Sequence, residues 1–390
     1  MTTLRTPGPT LGVVGGGQLG RMLAEAAAPL GVELIVLDPT PECPASLVAR
    51  DQIVADFDDE TAIHELAERA DALTFEIELA DQDALDRVEA ETGVPIHPKP
   101  ATLELIHDKL VQKRELRAAE IPVPEFRRVD DADDLRAAID DLGAPLMLKA
   151  RTGGYDGRGN VPVASTDEAD EAVEAVAGPA MAEEFVDYAR ELSVIAVKGD
   201  GETATFPVTE TIHREEILRE SVAPARADDE LQERAREAAL VVLESMEGRG
   251  TYGIEMFETT DGEILLNEIA PRPHNSGHWT IEGAVASQFE QHVRAVLGWP
   301  LGATDLRGPT VSANLLADVD EPAPAALSGV DRILSEPRGH LHWYGKSEAR
   351  PLRKMGHVTV CGATDESSDE LLDRGRKLRD AVSFATDDQR

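Results

Sequence analysis

Apolar residues in the first third of this chain come in short continuous runs separated by stretches of helical period. TLGVVG at 10–15, ELIVL at 33–37 and DALTF at 71–75 read as strands buried on both faces. From Gln18 to Ala28 and over 59–69, apolar positions recur three and four apart, the spacing of an amphipathic helix. Strand, helix, strand, helix, strand in this order gives a parallel sheet. Residues 1–105 are therefore expected to fold as one α/β domain, its end punctuated by Pro95, Pro98 and Pro100. A helix over 101–119 leads into a second domain, expected from 106 to 300. It holds a strand ending in Lys149, the strands within 190–222 (ELSVIAVK, TATFPVT, EILRESV), a helix over 228–246 and a strand pair over 253–268. Residues of about 121–186 read as a subdomain within it. From 301 to 390 the pattern shortens to VSANLL, HLHWYG and HVTV with one charged helix, a small β-rich third domain whose acidic end at 381–390 frays.

Two segments of the second domain carry chemistry. MLKARTGGYDGRG at 147–159 ends a strand in a lysine and continues into a turn built on Gly153, Gly154, Gly157 and Gly159, with Arg151 and Arg158 between them. A Walker loop puts its lysine after the glycines, and a dinucleotide fingerprint opens a helix directly. A strand lysine ahead of a glycine-rich hairpin suits a nucleotide whose phosphates meet the ammonium while backbone N–H groups close over them. A plain surface turn is the alternative. GIEMFETTDGEILLNE at 253–268 is two strands around Thr259, Thr260, Asp261 and Gly262. Antiparallel pairing brings Glu255 and Glu268 alongside each other, next to the amide of Asn267, and hard oxygen ligands of this kind suit Mg²⁺ held between protein and triphosphate. Acidic residues that merely face solvent give a similar pattern, but Glu255 lies in an apolar strand where an unpaired carboxylate is costly.

Strand lysine, glycine-rich lid and late carboxylate pair, in this order, resemble the ATP-grasp ligases. The segment from Asn267, NEIAPRPHNSGHW, together with GGGQLGRM at 15–22, RTGGYDGRG at 151–159 and HWYGKSEARPLRKMGH at 342–357, is similar to the 5-(carboxyamino)imidazole ribonucleotide synthase family of purine biosynthesis. The similarity runs from about residue 10 to 360. It implies an N-terminal Rossmann-like parallel-sheet domain, a central ATP-grasp domain with a glycine-rich lid and a small C-terminal β-rich domain. It also implies ATP- and bicarbonate-dependent carboxylation of the exocyclic amine of 5-aminoimidazole ribonucleotide, through carboxyphosphate, by a homodimer.

Residue by residue, the resemblance implies Lys109 and Lys149 on the ATP phosphates and Gly154, Tyr155, Asp156, Gly157, Arg158, Gly159 and Asn160 in the lid. Glu183, Glu184, Phe185 and Val186 fit the hinge strand whose backbone reads adenine, Glu191 the ribose hydroxyls, His213 the nucleotide side, and Asn267 with Glu268 the phosphate end. Glu255 and Glu268 are the implied ligands of Mg²⁺, with Mn²⁺ as an alternative. Arg272, His274 and Asn275, with Tyr155, are the implied catalytic group around bicarbonate and the carboxylated intermediate. Gln18, Glu76, Asp156, Lys346, Arg353 and Lys354 are the candidates for the acceptor ribonucleotide.

GGGQLG at 15–20 also satisfies the dinucleotide fingerprint, with Asp38 ending the next strand eighteen residues beyond the last glycine. Alone it reads as an NAD site. A dehydrogenase has no use for the lid lysine and the carboxylate pair, and a helix N-terminus accepts any phosphate, so the resemblance assigns this loop to the ribonucleotide.

Charge changes the picture of where such an enzyme works. Asp and Glu number 75 against 38 Lys and Arg, a net charge of −37. Only eight of the basic residues are lysine. Self-repulsion of this size strains a compact fold in dilute buffer, whereas molar salt screens charges within ~3 Å. The composition therefore reads as adaptation to a salty cytoplasm, as in a halophilic archaeon. With 42% apolar residues in periodic segments, an acidic disordered regulator is excluded. Without a basic stripe, so is nucleic-acid binding. Cys43 and Cys361 make no disulfide framework, no run approaches the ~18 apolar residues of a membrane span, and the start lacks an apolar leader, so a soluble cytoplasmic protein is expected. Two other readings compete. A formate-using glycinamide ribonucleotide transformylase or a biotin carboxylase is disfavoured by HNSGHW and HWYGK, and a non-catalytic nucleotide-binding module by Lys149, Glu255 and Glu268.

Overall fold

The computed structural model describes residues 4–153 and 159–384, whose strands form three larger sheets. In the first, strands Asp51–Ile53, Glu33–Leu37, Thr10–Val14 and Ala72–Phe75 lie parallel in that order. Thr10–Val14 is buried throughout, as an interior strand of a parallel sheet must be. Leu11 and Val13 pack with Met22 and Leu23 of helix Gln18–Ala27, and Val14 packs on the opposite side with Ile63, Leu66 and Phe75. The carboxyl ends of three neighbouring strands lead into Gly15, Asp38 and Glu76, so the sheet delivers these residues to one cradle.

The second sheet is antiparallel, in the order Phe126–Val129, Ala180–Glu184, Leu146–Ala150, Asn160–Val163. Helices Ala132–Leu142 and Ala169–Val176 cover it, with Leu135, Ala138, Ile139, Leu146, Leu148 and Val163 in the core between them. Neither helix was legible in the apolar pattern, because each buries only two or three side chains in a segment dominated by acidic residues.

The third sheet has nine strands and runs on into the C-terminal segment, where Thr310–Leu316, Lys354–Cys361 and Gly339–Trp343 continue it beyond Ile217–Ala223. Its long strand Tyr188–Lys198 shows the two-residue alternation clearly. Leu192, Val194 and Ala196 face helix Asp229–Ser245, while Ile195 and Val197 face Phe206 and Trp279. Strand Gly250–Thr259 pairs with it on one edge and with Ile264–Ala270 on the other, so the anticipated hairpin lies within the sheet.

The expected helix over 101–119 is two helices, Pro100–His107 and Lys109–Ala118, parted at Asp108. Asp108 is extended, and its carboxylate accepts from the N–H groups of Leu110 and Val111, an N-cap that the apolar period does not reveal. Among the described residues no helix is long and apolar enough to cross a membrane.

Candidate functional site

Helix Lys109–Ala118 presents Lys109 and Lys113, one turn apart, to the strand pair below. Lys109 Nζ lies 3.1 Å from Glu268 Oε1. Lys149, next to last in strand Leu146–Ala150, is ion-paired with Glu183 and has Asn267 Oδ1 at 3.4 Å. Lys113, which sequence reasoning missed, is 2% exposed and holds the other oxygen of the same carboxylate at 2.9 Å, donating also to the Leu266 carbonyl at 3.0 Å. Burial alone would raise the Glu183 carboxyl, but Lys113 and Lys149 outweigh it and bring it down to about 2. Burial, helped by repulsion from Lys149 and Lys109, lowers Lys113 to about 8 against the pull of Glu183. Glu183 was expected only for its backbone; its side chain is the anionic centre of a lysine cluster.

Glu184, next in that strand, accepts from the Glu125 N–H, while Phe185 is exposed and Val186 partly so as the chain leaves the sheet. Gly159 and Asn160 return from the lid, Gly159 O receiving the Ala150 N–H. The expected lid residues Gly154, Tyr155, Asp156, Gly157 and Arg158 lie outside the described residues.

Glu255 and Glu268 stand directly opposite each other in the ladder, and Glu255 faces Ser193 on its other side. Period-two alternation places Glu191 on the same face as Ser193. His213, from the neighbouring strand Thr209–Arg214, is ion-paired with Glu191. Burial opposes protonation of His213, but the hydrogen bond to Glu191 and the field of Glu255 raise its pKa above the ordinary value. Burial, with Glu268 and Glu191 nearby, raises Glu255, while the ammonium of Lys109 beside the exposed Glu268 lowers that carboxyl. Among the described residues no cluster of three or more His, Cys, Asp or Glu has metal-holding geometry. Two facing carboxylates nevertheless make a hard oxygen donor pair of the kind that fits a divalent ion.

Past Ala270 the chain folds back over this face. His274 lies so close to Gly253 that a Cβ there would meet the His274 Cβ at 2.3 Å. The fully buried Gln288 side chain holds the His274 backbone at both ends, accepting from N–H at 2.9 Å and donating to the carbonyl at 2.7 Å. Ser276 Oγ links His274 Nδ1, at 2.8 Å, to Ser193 Oγ, at 2.7 Å, which leaves Nε2 3.9 Å from Glu255 Oε1. Asn275 is 9% exposed, and among the described residues neither its amide nitrogen nor its oxygen has a hydrogen-bond partner. Arg272 pairs with Glu78 at 2.7 Å. Gln288 and Glu78 carried no motif and were found only by the fold.

The Gly15–Gly17 loop departs from a dinucleotide site. Its Gly16 N–H donates to Asp38 at 2.9 Å and its Gly17 N–H to Glu76 at 2.6 Å. Asp38 therefore braces the loop, in place of the ribose contact a fingerprint predicts. Gly15 has φ +105° and its Cβ position lies 2.6 Å from Glu76 Cγ, so only glycine fits. Burial pushes Glu76 up to about 7 despite the Gly17 N–H, with Arg272 and Lys346 pulling the other way and Asp38 adding to the rise. Lys346 donates to Gln18 Oε1 and to the Lys354 carbonyl, both at 2.7 Å, closing the cradle from the third segment. Lys354 acts electrostatically on His213 and Glu255, while Arg353 donates to the Glu348 carbonyl at 2.8 Å, and burial and Arg350 depress its pKa. Of eight lysines in the chain, 109, 113, 149, 346 and 354 lie on the segments that form this cleft.

Family descriptions match the chain in three consecutive parts: a ribonucleotide synthetase pre-ATP-grasp domain over 9–107, an ATP-grasp domain over 114–289 and a phosphoribosylaminoimidazole carboxylase C-terminal domain over 310–371. The N5-carboxyaminoimidazole ribonucleotide synthase of Brucella melitensis is 46% identical, over 90% of this chain and 96% of that protein. The crystal structure of N5-carboxyaminoimidazole ribonucleotide synthetase from Thermotoga maritima superimposes with a TM-score of 0.88 at 41% identity, covering 97% of this chain and 100% of that one. The synthase of Aspergillus clavatus, in complex with ADP and 5-aminoimidazole ribonucleotide, superimposes with a TM-score of 0.89 at 36% identity, over 96% and 100% of the two chains. The agreement extends through all three segments in the same order, and the chain belongs to the N5-carboxyaminoimidazole ribonucleotide synthase family.

Proposed function

We propose that this protein uses ATP and bicarbonate to carboxylate the exocyclic amine of 5-aminoimidazole ribonucleotide, yielding ADP, phosphate and the N-carboxylated ribonucleotide. The observation that carries this reading is the joining of two cradles in one cleft. Lys109, Lys149 and the Glu255/Glu268 pair lie on one side, the Gln18, Glu76 and Lys346 group on the other, and the Arg272–Asn275 loop runs between them. A ligase that must pass an activated one-carbon unit from a nucleotide to a second substrate needs such a layout.

Bicarbonate is a poor electrophile until a phosphate is placed on it. Its oxygen attacks the γ-phosphorus, the bond to the β-phosphate oxygen breaks, and ADP leaves carboxyphosphate behind. The carbon then passes to the amine nitrogen, directly or after release as carbon dioxide, while phosphate departs and the nitrogen proton is lost. Lys109 and Lys149 supply positive charge to the transferring phosphoryl group. Glu255 and Glu268, with Asn267, are suited to hold Mg²⁺ or Mn²⁺, which when bound offsets the charge growing on the β- and γ-phosphates. His274 is oriented by Ser276 and Gln288 toward the carboxylate pair, and Asn275 brings an amide with no partner among the described residues, the equipment needed for a planar anion. Glu76 accepts from the acceptor's amine or ribose, and Lys346 with Gln18 and Lys354 faces its phosphate. Closure of the glycine-rich lid keeps water from carboxyphosphate. Resemblance to the family supports a homodimer, and the charge balance supports a salt-rich working medium.

The test is ADP formation in concentrated KCl with Mg²⁺, ATP and bicarbonate, with and without 5-aminoimidazole ribonucleotide. Strong stimulation by the ribonucleotide, abolished by EDTA, supports the acceptor and the metal together. ADP release indifferent to it overturns the choice of acceptor.

A further inference from the structure

Lys149 is ion-paired with Glu183. To reach a nucleotide it must give up a buried ion pair, and a buried carboxylate that loses its only counter-ion resists that strongly. Glu183, however, has a second counter-ion. Lys113, almost completely enclosed, holds the other carboxylate oxygen at 2.9 Å and is itself anchored to the Leu266 carbonyl at 3.0 Å. Three elements meet at this point: helix Lys109–Ala118, the strand Ala180–Glu184 and the strand Ile264–Ala270 that carries Asn267 and Glu268.

We propose that Lys113 is a positioning residue for nucleotide binding, keeping Glu183 neutralised from behind so that Lys149 can transfer from that carboxylate to the nucleotide phosphates. The proposal rests on the assignment of Lys149 to phosphate. Lys113 has no path to the ligand, and it acts only through Glu183. With Lys113 replaced by an apolar residue, Lys149 is the one ion-pair partner left to Glu183 among the described residues, and Glu183 retains it. Phosphate-bearing nucleotides then bind in competition with an internal anion, whereas a nucleoside without phosphates is unaffected.

The experiment compares binding of ADP and of adenosine to the wild type, Lys113→Met, Glu183→Gln, Lys149→Met and the double variant Lys113→Met/Glu183→Gln. Lys113→Met is expected to weaken ADP at least tenfold and to leave adenosine within twofold. Glu183→Gln, which removes the competing anion, is expected to bind ADP at least as tightly as wild type, and the double variant to match Glu183→Gln. An equal loss of ADP and adenosine in Lys113→Met, or ADP affinity within twofold of wild type while Lys149→Met loses it, overturns the role of Lys113 and leaves the phosphate site standing. Undiminished ADP binding in Lys149→Met overturns the phosphate assignment itself. Should Lys113→Met fail to fold, Lys113→Gln, which keeps a hydrogen bond to Glu183 without the charge, takes its place: a tenfold loss of ADP with adenosine within twofold supports the role, and ADP affinity within twofold of wild type refutes it.

Discussion

Substituting Glu76 with glutamine isolates the energetic cost of a buried acid at the substrate cradle. Glu76 is 8% exposed, and its carboxyl titrates at about 7 in place of 4.5, chiefly through burial. Its folded pKa is raised, so the ionised form disfavours the native state. That cost is absent at low pH, grows above the unfolded value and levels off above the folded one. At about 1.4 kcal/mol per pH unit, the cost to the wild type is about 1 kcal/mol at pH 5 and about 3 kcal/mol at pH 8.5. Glutamine keeps the acceptor oxygen for the Gly17 N–H and the side-chain volume while removing the charge. Urea denaturation of the two proteins at both pH values, at fixed ionic strength, should therefore show the stability advantage of Glu76→Gln growing by about 2 kcal/mol between pH 5 and pH 8.5. The variant should at the same time raise the KM for the ribonucleotide, the groups that meet Glu76 being Gly17, Arg272 and Lys346. A stability difference that stays flat with pH would show that Glu76 ionises normally and that the cradle is open to water.

Three further outcomes follow from the same geometry. His213 has a raised folded pKa, so the stability it contributes is fully present below its unfolded value and is lost as pH rises through the folded one. His213→Gln should accordingly fall below wild type at pH 6 and converge with it at pH 9, and the same deficit at both would refute the pairing with Glu191. Gly253→Ala forces two backbone-anchored carbons to within 2.3 Å, so it should destabilise by about 1–3 kcal/mol and displace His274, with kcat falling more than a hundredfold. Thermal midpoints should climb steadily with KCl, reflecting relief of the net charge of −37, and insensitivity between dilute and molar salt would remove the salt-adapted reading.

The candidate residues were legible where chemistry follows from local pattern. Glu255 opposite Glu268 is a consequence of turn composition and strand alternation, both written in sixteen consecutive residues. The parallel sheet of the first domain was equally readable, because strands buried on both faces run almost unbroken in apolar residues, Thr10 and Thr74 apart. Helices Ala132–Leu142 and Ala169–Val176 were not, since a surface crowded with Asp and Glu leaves few apolar positions to mark a face.

What the chain by itself determined is therefore an inventory: a strand lysine before a glycine-rich turn, a carboxylate pair, a glycine loop after the first strand and a donor-rich loop after Ala270. The tertiary structure alone decided which of these groups hold one another. It turned the N–H groups of Gly16 and Gly17 toward Asp38 and Glu76, broke the 101–119 helix at Asp108, and set Lys113 and Lys149 on either side of Glu183. Lys113 and Glu183 are separated by seventy residues, and Lys346 reaches Gln18 across 328. Local periodicity reports which face of an element is apolar. The electrostatic partner of a charged group depends on distance through space, and only the packing of all three segments supplies it.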